Sequence, residues 1–397
     1  MKVTAPRAEG TDCPGFELGR FLLDNGSMSP DWETSFDSVP RSLFIPDLMW
    51  AWTEASRSTV AIDRRTDPDA WHRAVGSNIP IVTQWDDGAH EGTAAGQLST
   101  SSNSQPNVVM SMLRDLDVAP GMKVLEAGTG TGWTSGLLAH RLGSGQVVSV
   151  EIDAAVAESA RTAHRRAGLT PEVVTGDGQL GWPAGAPYDR LIATYGVQEI
   201  PPAWLRQVKP GGLILAPWGT RYSFRDAVVK LSVGDDLTAS GHFTEQVGFM
   251  KDRGSRAEFP SHSEYVPDFP GDADTGYRTT LTADDLGGVW GVQTFVIGLV
   301  VPDVTHVIHE QDDATTTAWF YGLGDDRSWA AVVRRKDQPE TTVYQAGPRR
   351  LWQAFERAVR WWQAEGRPGV ERFGLTVAAG HQVPWLDQPD NQVPQHR

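Results

Sequence analysis

Apolar positions give the first outline of this chain. Val108, Val109, Met112, Leu113 and Leu116 recur at helical spacing and predict a helix that ends before "APG" at Ala119 to Gly121. There the period changes. "KVLEAG" reads as a strand, Trp133 to Leu142 as a helix and "GQVVSVEID" as a second strand. Val156 to Ala167 gives another helix, "EVVTGD" a third strand and "DRLIAT" a fourth, followed by helical "IPPAWLRQV" and the strand "GLILAPWG". Apolar, β-branched strands alternating with helices imply a parallel sheet covered on both faces, a Rossmann-like doubly wound α/β domain.

The flanks are less regular. Residues 1–15 form a polar tail, Phe16 to Leu23 a short helix, and "VPRSLFIP" (Val39 to Pro46) a Pro-bounded extended segment. Residues 60–100 read as irregular, rich in Asp, Gly, Ser and Thr, and end in "GQLSTSSNSQP". "AVVKLSV" and "SGHFTEQVGFM" predict an edge hairpin near residues 227–250, and the Pro-, Ser- and Asp-rich stretch after Gly254 reads as a linker. Beyond it "VQTFVIGLVV", "TTTAWFYGL", "SWAAVVRR" and "TTVYQAG" read as strands. "PRRLWQAFERAVRWWQAEG" predicts an amphipathic helix, with Pro348 near its first turn, Gly366 at its end, and Leu351, Trp352, Phe355, Val359 and Trp362 on one face. No internal repeat is visible.

Length and composition narrow the class. At 397 residues two cores are expected, and 40% hydrophobic with 21% charged residues describes a globular chain. The net charge of −15 repels a phosphate backbone, and basic runs such as Arg334-Arg335-Lys336 are short, so a basic peptide suits this field better than a nucleic acid. Cys13 is the only cysteine, which excludes a disulfide framework and a cysteine-built zinc site. No apolar run approaches a membrane span and no apolar targeting segment follows Met1-Lys2, so a cytoplasmic protein without a membrane partner is expected.

The chemistry concentrates at "VLEAGTGTGW". Gly128, Gly130 and Gly132 lie between strand and helix, where the chain must turn sharply and a ligand can approach the backbone. The spacing differs from the dinucleotide fingerprint, because an acid, Glu126, ends the strand ahead of the glycines. Glu151 ends the second strand, where a carboxylate can take both hydroxyls of a ribose. Asp177 in "GDG" ends the third, where it can accept from the exocyclic amine of adenine. Singly, such residues also serve as tight turns or helix caps. Three acids at successive strand ends, on the rim where open α/β sheets bind ligands, point to a cationic nucleoside: S-adenosylmethionine.

From about residue 16 to 254 the chain resembles the protein-L-isoaspartate O-methyltransferases, through "VPRSLFIP", "SNSQP", "VLEAGTGTGW", "VVSVEID", "VVTGDG", "GWPAGAPYDRLIAT", "EIPPAWLRQVKPGG" and "TEQVGFM". The resemblance implies an S-adenosylmethionine-dependent methyltransferase fold with an N-terminal cap. The implied activity is methylation of a peptide carboxylate, with S-adenosylhomocysteine as product and no metal. It assigns Glu126, Gly128, Thr129, Gly130, Gly132, Glu151, Ile152, Asp177 and Gly178 to the cofactor. Ser102, Asn103, Gln105 and Tyr195 fall to the substrate, and Ser104 beside substrate and sulfonium as the catalytic residue. Ser104 is also placed to cap the helix that follows. A carboxylate is already anionic at neutral pH, so no general base is required and no catalytic triad is expected. The expected plan is 1–106 as tail and substrate-side cap, 107–254 as the methyltransferase core, 255–277 as linker and 278–397 as a C-terminal α+β extension, a candidate for binding peptide.

Three departures set the chain apart from the repair enzymes it resembles. "SSNSQP" puts Ser102 and Asn103 where Thr and Ile are expected, Tyr195 stands where small alanines are usual, and over a hundred residues follow residue 254. The extension, above all "ERFGLTVAAGHQVPWLDQPDN", is similar to that of longer relatives that tailor ribosomally made peptides beside ATP-grasp ligases or lanthipeptide enzymes. That similarity implies methylation of an ordinary aspartate in a cross-linked precursor peptide and closure of the ester to an aspartimide, with an ATP-grasp ligase as a pathway partner. The alternative is isoaspartate repair with an appended domain. Trp319, Trp329, Trp352, Trp361 and Trp362 are candidates either for gripping the peptide or for the core, and His306, His309, Asp312 and Asp313 for metal ligands or solvated loop positions.

Overall fold

The computed structural model describes residues 18–53, 58–223, 225–256, 261–281, 285, 291–310, 315–324, 327–338, 340–378 and 380–395. Cys13, the 1–15 tail, Asp312 and Asp313 lie outside these. The chain forms two compact units. One runs to Thr194 and adds Ala203–Leu215; the other takes Tyr195–Pro202 and Ala216–Arg397. The division therefore follows neither residue 254 nor a 255–277 linker.

The first unit opens with α1 (Leu18–Asp24), α2 (Glu33–Ser38) and a 3-10 turn at Arg41–Phe44. It continues with β1 (Leu48–Thr53), β2 (Ser58–Asp63), α3 (Pro68–Val75), β3 (Ile81–Trp85) and β4 (Ser99–Asn103). The four strands pair antiparallel in the order β2-β1-β3-β4. Residues 60–100, expected to be irregular, thus hold β3, most of β2 and the start of β4. The Asp67 side chain caps α3 by accepting from the Ala70 amide at 2.9 Å. Trp71, Ala74 and Val75, one face at i, i+3, i+4 spacing, bury against Ile45, Met49 and Ile81. Only these three positions of α3 are buried, so surface polarity hid its pattern. "VPRSLFIP" tightens into the 3-10 turn between Pro40 and Ile45 instead of extending throughout.

After α4 (Pro106–Leu116) come β5 (Val124–Ala127), α5 (Trp133–Leu142), β6 (Val147–Glu151), α6 (Ala154–Arg166) and β7 (Glu172–Thr175). β8 (Tyr188–Ala193), α7 (Pro202–Gln207) and β9 (Val208–Trp218, to Leu215 in this unit) complete the expected alternation. The strands are parallel in the order β9-β8-β5-β6-β7. Every residue of β5 and β6 is buried, as a sheet covered on both faces requires. The order reverses between β5 and β8, which sets a crevice at their carboxyl ends.

In the second unit β10 (Asp226–Val233) and β11 (Ala239–Val247) form the expected hairpin. It is no edge. β11 also pairs with β17 (Phe373–Ala378), and β17 pairs with β18 (His381–Leu386). A separate antiparallel sheet has the order β12-β16-β15-β14-β13, from β12 (Thr275–Thr279), β13 (Val304–Glu310), β14 (Thr315–Gly322), β15 (Trp329–Arg335) and β16 (Thr341–Ala346). The stretch read as a linker contains α8 (His262–Tyr265) and packs Tyr265 and Val266 against Trp319 and Trp329.

"VQTFVIGLVV" is not a strand but α9 (Val292–Val300), buried along nearly its whole length. A continuous apolar run has no period to separate a buried helix from a buried strand. α10 (Leu351–Ala364) matches its prediction, with Trp352 stacked on Phe355 at 4.4 Å. Trp319, Trp329 and Trp352 are 7%, 2% and 0% exposed, so they are core, while Trp361 and Trp362 are half-buried. His306 stacks on Tyr222 at 4.5 Å and bonds its carbonyl at 3.1 Å; burial pushes its pKa down to about 4, a packing role. Among the described residues, no three His, Cys, Asp or Glu side chains gather as metal ligands, and no helix is long and apolar enough to cross a membrane.

Candidate functional site

The glycine loop is shaped by its backbone. Gly128, Gly130 and Gly132 have φ of 94°, 53° and 90°, a region that side chains disfavour. At Gly132 space is closed as well: a Cβ would sit 3.0 Å from His164 Nε2 and 3.1 Å from Ala160 Cβ. His164 Nε2 lies 2.8 Å from the Gly132 carbonyl, and burial lowers its pKa, so the neutral ring donates there. Gly128 is held by its amide on the Val150 carbonyl at 2.8 Å and by the Thr194 hydroxyl on its own carbonyl.

Glu126 and Glu151 flank this loop, and Asp177 follows β7. Glu126 is fully buried in β5, opposite Ser149 of β6. The Ser149 hydroxyl donates to Glu126 Oε2 and lies 2.6 Å from the Thr129 hydroxyl, while Glu126 Oε1 has no hydrogen-bond partner among the described residues. Burial pushes the Glu126 carboxyl up to about 8, against the pull of Ser149 and Ser135; nearby Glu151 adds to the rise. Glu151, 8% exposed, accepts the Gly130 amide at 2.8 Å and the Asp153 amide at 3.1 Å, which fixes the carboxylate beside the glycine turn. Asp177 is exposed and caps a 3-10 turn through the Gln179 amide at 2.9 Å. Its neighbour Gly178 is buried, with its carbonyl accepting from Trp204 Nε1 at 2.8 Å.

Apolar surface follows the same rim. Ile152 and Leu180, directly after the second and third strand ends, are 47% and 63% exposed. The residues fit S-adenosylmethionine by chemistry: a buried carboxyl that can ionise beside a cation, a fixed carboxylate for hydroxyls, an exposed acid for an amine, and apolar edges for a base.

The cap strand β4 reaches this loop. The Ser102 carbonyl is the nearest atom, at 3.5 Å, to where a Cβ on Gly130 would sit. Asn103 was expected to touch substrate. It is 2% exposed, and both ends of its amide are engaged: Nδ2 donates to Thr131 Oγ1 at 2.9 Å and Oδ1 accepts from Arg41 Nε at 2.6 Å. Its place is inside the wall. Thr129, expected at the cofactor, also turns its hydroxyl inward, to Ser149. Ser104 and Gln105 are half-buried. Gln105 stands at the cap position of α4, which has no side-chain cap bond, so the Ser104 hydroxyl is not the cap of that helix. Tyr195 falls in the second unit, one residue past Thr194, and is half-buried.

Sequence reasoning missed Arg41. Its guanidinium, 6% exposed, donates to the carbonyls of Val75, Ser77, Ile79 and Ser104 at 2.9–3.2 Å, in addition to the Asn103 side chain. Burial lowers its pKa to about 9, which still leaves it charged at neutral pH. An arginine inside the otherwise mostly apolar "VPRSLFIP" is the signal that was available.

Comparison with known proteins places this geometry. Residues 83–250 match the family model described as Protein-L-isoaspartate(D-aspartate) O-methyltransferase (PCMT). The chain is 40% identical over 124 residues to a protein-L-isoaspartate O-methyltransferase of Pyrococcus horikoshii, covering 31% of this chain and 56% of that one. It is 35% identical over 143 residues to the protein of that name from Thermococcus sibiricus, covering 35% and 64%. The chain thus spans little more than half the length of these curated relatives. A solved protein-L-isoaspartate O-methyltransferase aligns with 94% of this chain and 99% of its own at 22% identity, with a TM-score of 0.52, which shows a shared fold. In sequence over residues 83–250, and in fold over most of its length, this chain is similar to the protein-L-isoaspartate O-methyltransferases.

Proposed function

We propose that this protein is an S-adenosylmethionine-dependent O-methyltransferase acting on an isoaspartyl-type carboxylate of a peptide or protein. The observation that carries the reading is the set of strand-end acids around the glycine loop, with Glu126 buried, Glu151 fixed and Asp177 exposed, within the segment that matches the family. Bound S-adenosylmethionine would supply a methyl on a sulfonium, passed to the carboxylate as the O–C bond forms and the C–S bond breaks, with no proton to remove. Glu126 would face the cationic end, Glu151 the ribose hydroxyls, Asp177 the adenine amine, and Ile152 with Gly178 the ring. Ser104, whose hydroxyl is not a helix cap, would orient the carboxylate by a hydrogen bond.

A second reading rests on Tyr195 and on Ser102, which stand where the resembled family carries smaller or different residues. There the substrate is an ordinary aspartate in a ribosomally made, cross-linked precursor peptide, prepared by an ATP-grasp ligase. The following backbone amide would attack the ester carbonyl and expel methanol, leaving an aspartimide. The C-terminal extension lends this reading less weight than its length implied, because the fold of a solved protein-L-isoaspartate O-methyltransferase aligns with 94% of this chain. Mass spectrometry with S-adenosylmethionine separates the two. A methyl gain on an isoaspartyl peptide alone supports the first, and a methyl gain followed by methanol loss on a precursor peptide supports the second. Methylation of neither overturns both.

A further inference from the structure

Within the first unit, Asn103 of β4 ties the cap sheet to the glycine loop through Thr131. A second tie comes from β3. Its pairing with β4 shifts register on both sides of Gln84, between Val82 and Gln84 and again between Gln84 and Trp85. Irregular pairing of this kind re-aims a side chain. Here the Gln84 amide reaches the core, where Nε2 donates to Asp153 Oδ2 at 3.1 Å. Its other end is held by the Thr100 hydroxyl, which donates to Gln84 Oε1 at 2.8 Å and accepts the Asp87 amide at 3.2 Å. Direction is fixed at both ends. A backbone N–H only donates and an ionised carboxylate only accepts, so the hydroxyl donates onward and the amide turns its NH2 to Asp153.

Asp153 makes this relay matter. Its Oδ1 accepts the Ala155 and Val156 amides at 2.9 and 3.2 Å, which caps α6. Its own amide donates to Glu151 Oε1 at 3.1 Å, and Glu151 Oε2 accepts the Gly130 amide at 2.8 Å. We infer that Gln84 is a positioning residue for the cofactor: by holding Asp153 it fixes the turn after β6, and with it the Glu151 carboxylate beside Gly130. The helix cap uses Oδ1 alone, so the bond on Oδ2 is an addition that α6 does not need. That bond is charge-assisted, and its donor stands on a paired strand rather than on a free loop. The cap sheet thereby acts on the cofactor through an acid it does not touch. This deepens the proposed function and rests on its assignment of Glu151 to the cofactor.

The test measures S-adenosylhomocysteine affinity by calorimetry on the full chain, in a double-mutant cycle between Gln84→Met and Glu151→Ala. Gln84→Met keeps the length of the side chain and removes the donor, and affinity should fall about fivefold to tenfold. Added to Glu151→Ala, the same change should alter affinity by less than about twofold, because the brace then has no carboxylate to place. Gln84→Glu, of the same shape but with a second negative charge against Asp153, should bind no better than Gln84→Met. Wild-type affinity in Gln84→Met or in Gln84→Glu would overturn the inference. Equal losses with and without Glu151 would overturn it as well, since they mark a packing role. Where Gln84→Met does not fold, Thr100→Val takes its place in the cycle with the same expected signs, because it removes the hydroxyl that orients the amide. A wild type that binds no S-adenosylhomocysteine would sink the proposed function. Amide hydrogen exchange over 151–156 would then still decide the brace: faster exchange in Gln84→Met supports it and unchanged exchange overturns it.

Discussion

Glu126 offers the sharpest quantitative test. Its carboxyl is fully buried, and burial raises its pKa from an ordinary 4.5 to about 8. Below pH 4.5 folded and unfolded chains both carry the proton, and the acid costs nothing. Between pH 4.5 and 8 the unfolded chain ionises and the folded one does not, so stability falls as pH rises. Above 8 both are ionised and the full cost is present. The gap of about 3.5 pH units corresponds to at most about 5 kcal/mol, at about 1.4 kcal/mol per unit. Glu126→Gln removes the ionisable group and keeps an acceptor for the Ser149 hydroxyl. Urea unfolding of both proteins without ligand, followed by tryptophan fluorescence from pH 5 to 9, should show the variant's advantage growing with pH and levelling near 8. Its affinity for S-adenosylmethionine should move the other way, because the one buried acid that can ionise beside a bound cation is gone. A stability difference that stays flat across this range would refute the reasoning, since a cost without pH dependence does not come from ionisation.

Other predictions concern the same loop. Glu151→Ala frees the Gly130 and Asp153 amides and removes the proposed ribose acceptor, so S-adenosylmethionine affinity by calorimetry should weaken about tenfold to a hundredfold. Ser104→Ala should lower kcat about tenfold with cofactor affinity unchanged; full turnover would remove this serine from the mechanism. Gly132→Ala forces a Cβ onto His164 at a φ of 90°, and thermal or urea unfolding should show a loss of roughly 2 kcal/mol or more.

The parallel core was legible because its chemistry repeats along the chain. Strands buried on both faces carry runs of Val, Leu, Ile and Ala, β5 and β6 close on a glycine turn and an acid, and helices with one polar face separate them. Glu126, Glu151 and Asp177 were placed by the same logic, since a polar residue at the end of an apolar run marks the rim. What failed lacked such a pattern. α9 is apolar at almost every position, and the cap strands are half-exposed and short. Arg41 was hidden for another reason: most of its partners are backbone carbonyls, and a carbonyl has no signature in sequence. Asn103 was misplaced because a sequence shows that an amide is near a site but not which way it faces.

The Arg41–Asn103–Thr131 relay also bears on how this protein could be re-engineered or could diverge. Cap and glycine loop are coupled through one side-chain amide, so they are not interchangeable parts. A chimera that took residues 18–106 from a relative and kept the remainder of this chain would inherit a junction at Thr131. If the donor's residue at Asn103 could not bridge both ways, a buried guanidinium and a threonine hydroxyl would lose their partner together. The working unit of inheritance is then the trio, and changes at any one of the three positions should be tolerated only alongside changes at the others.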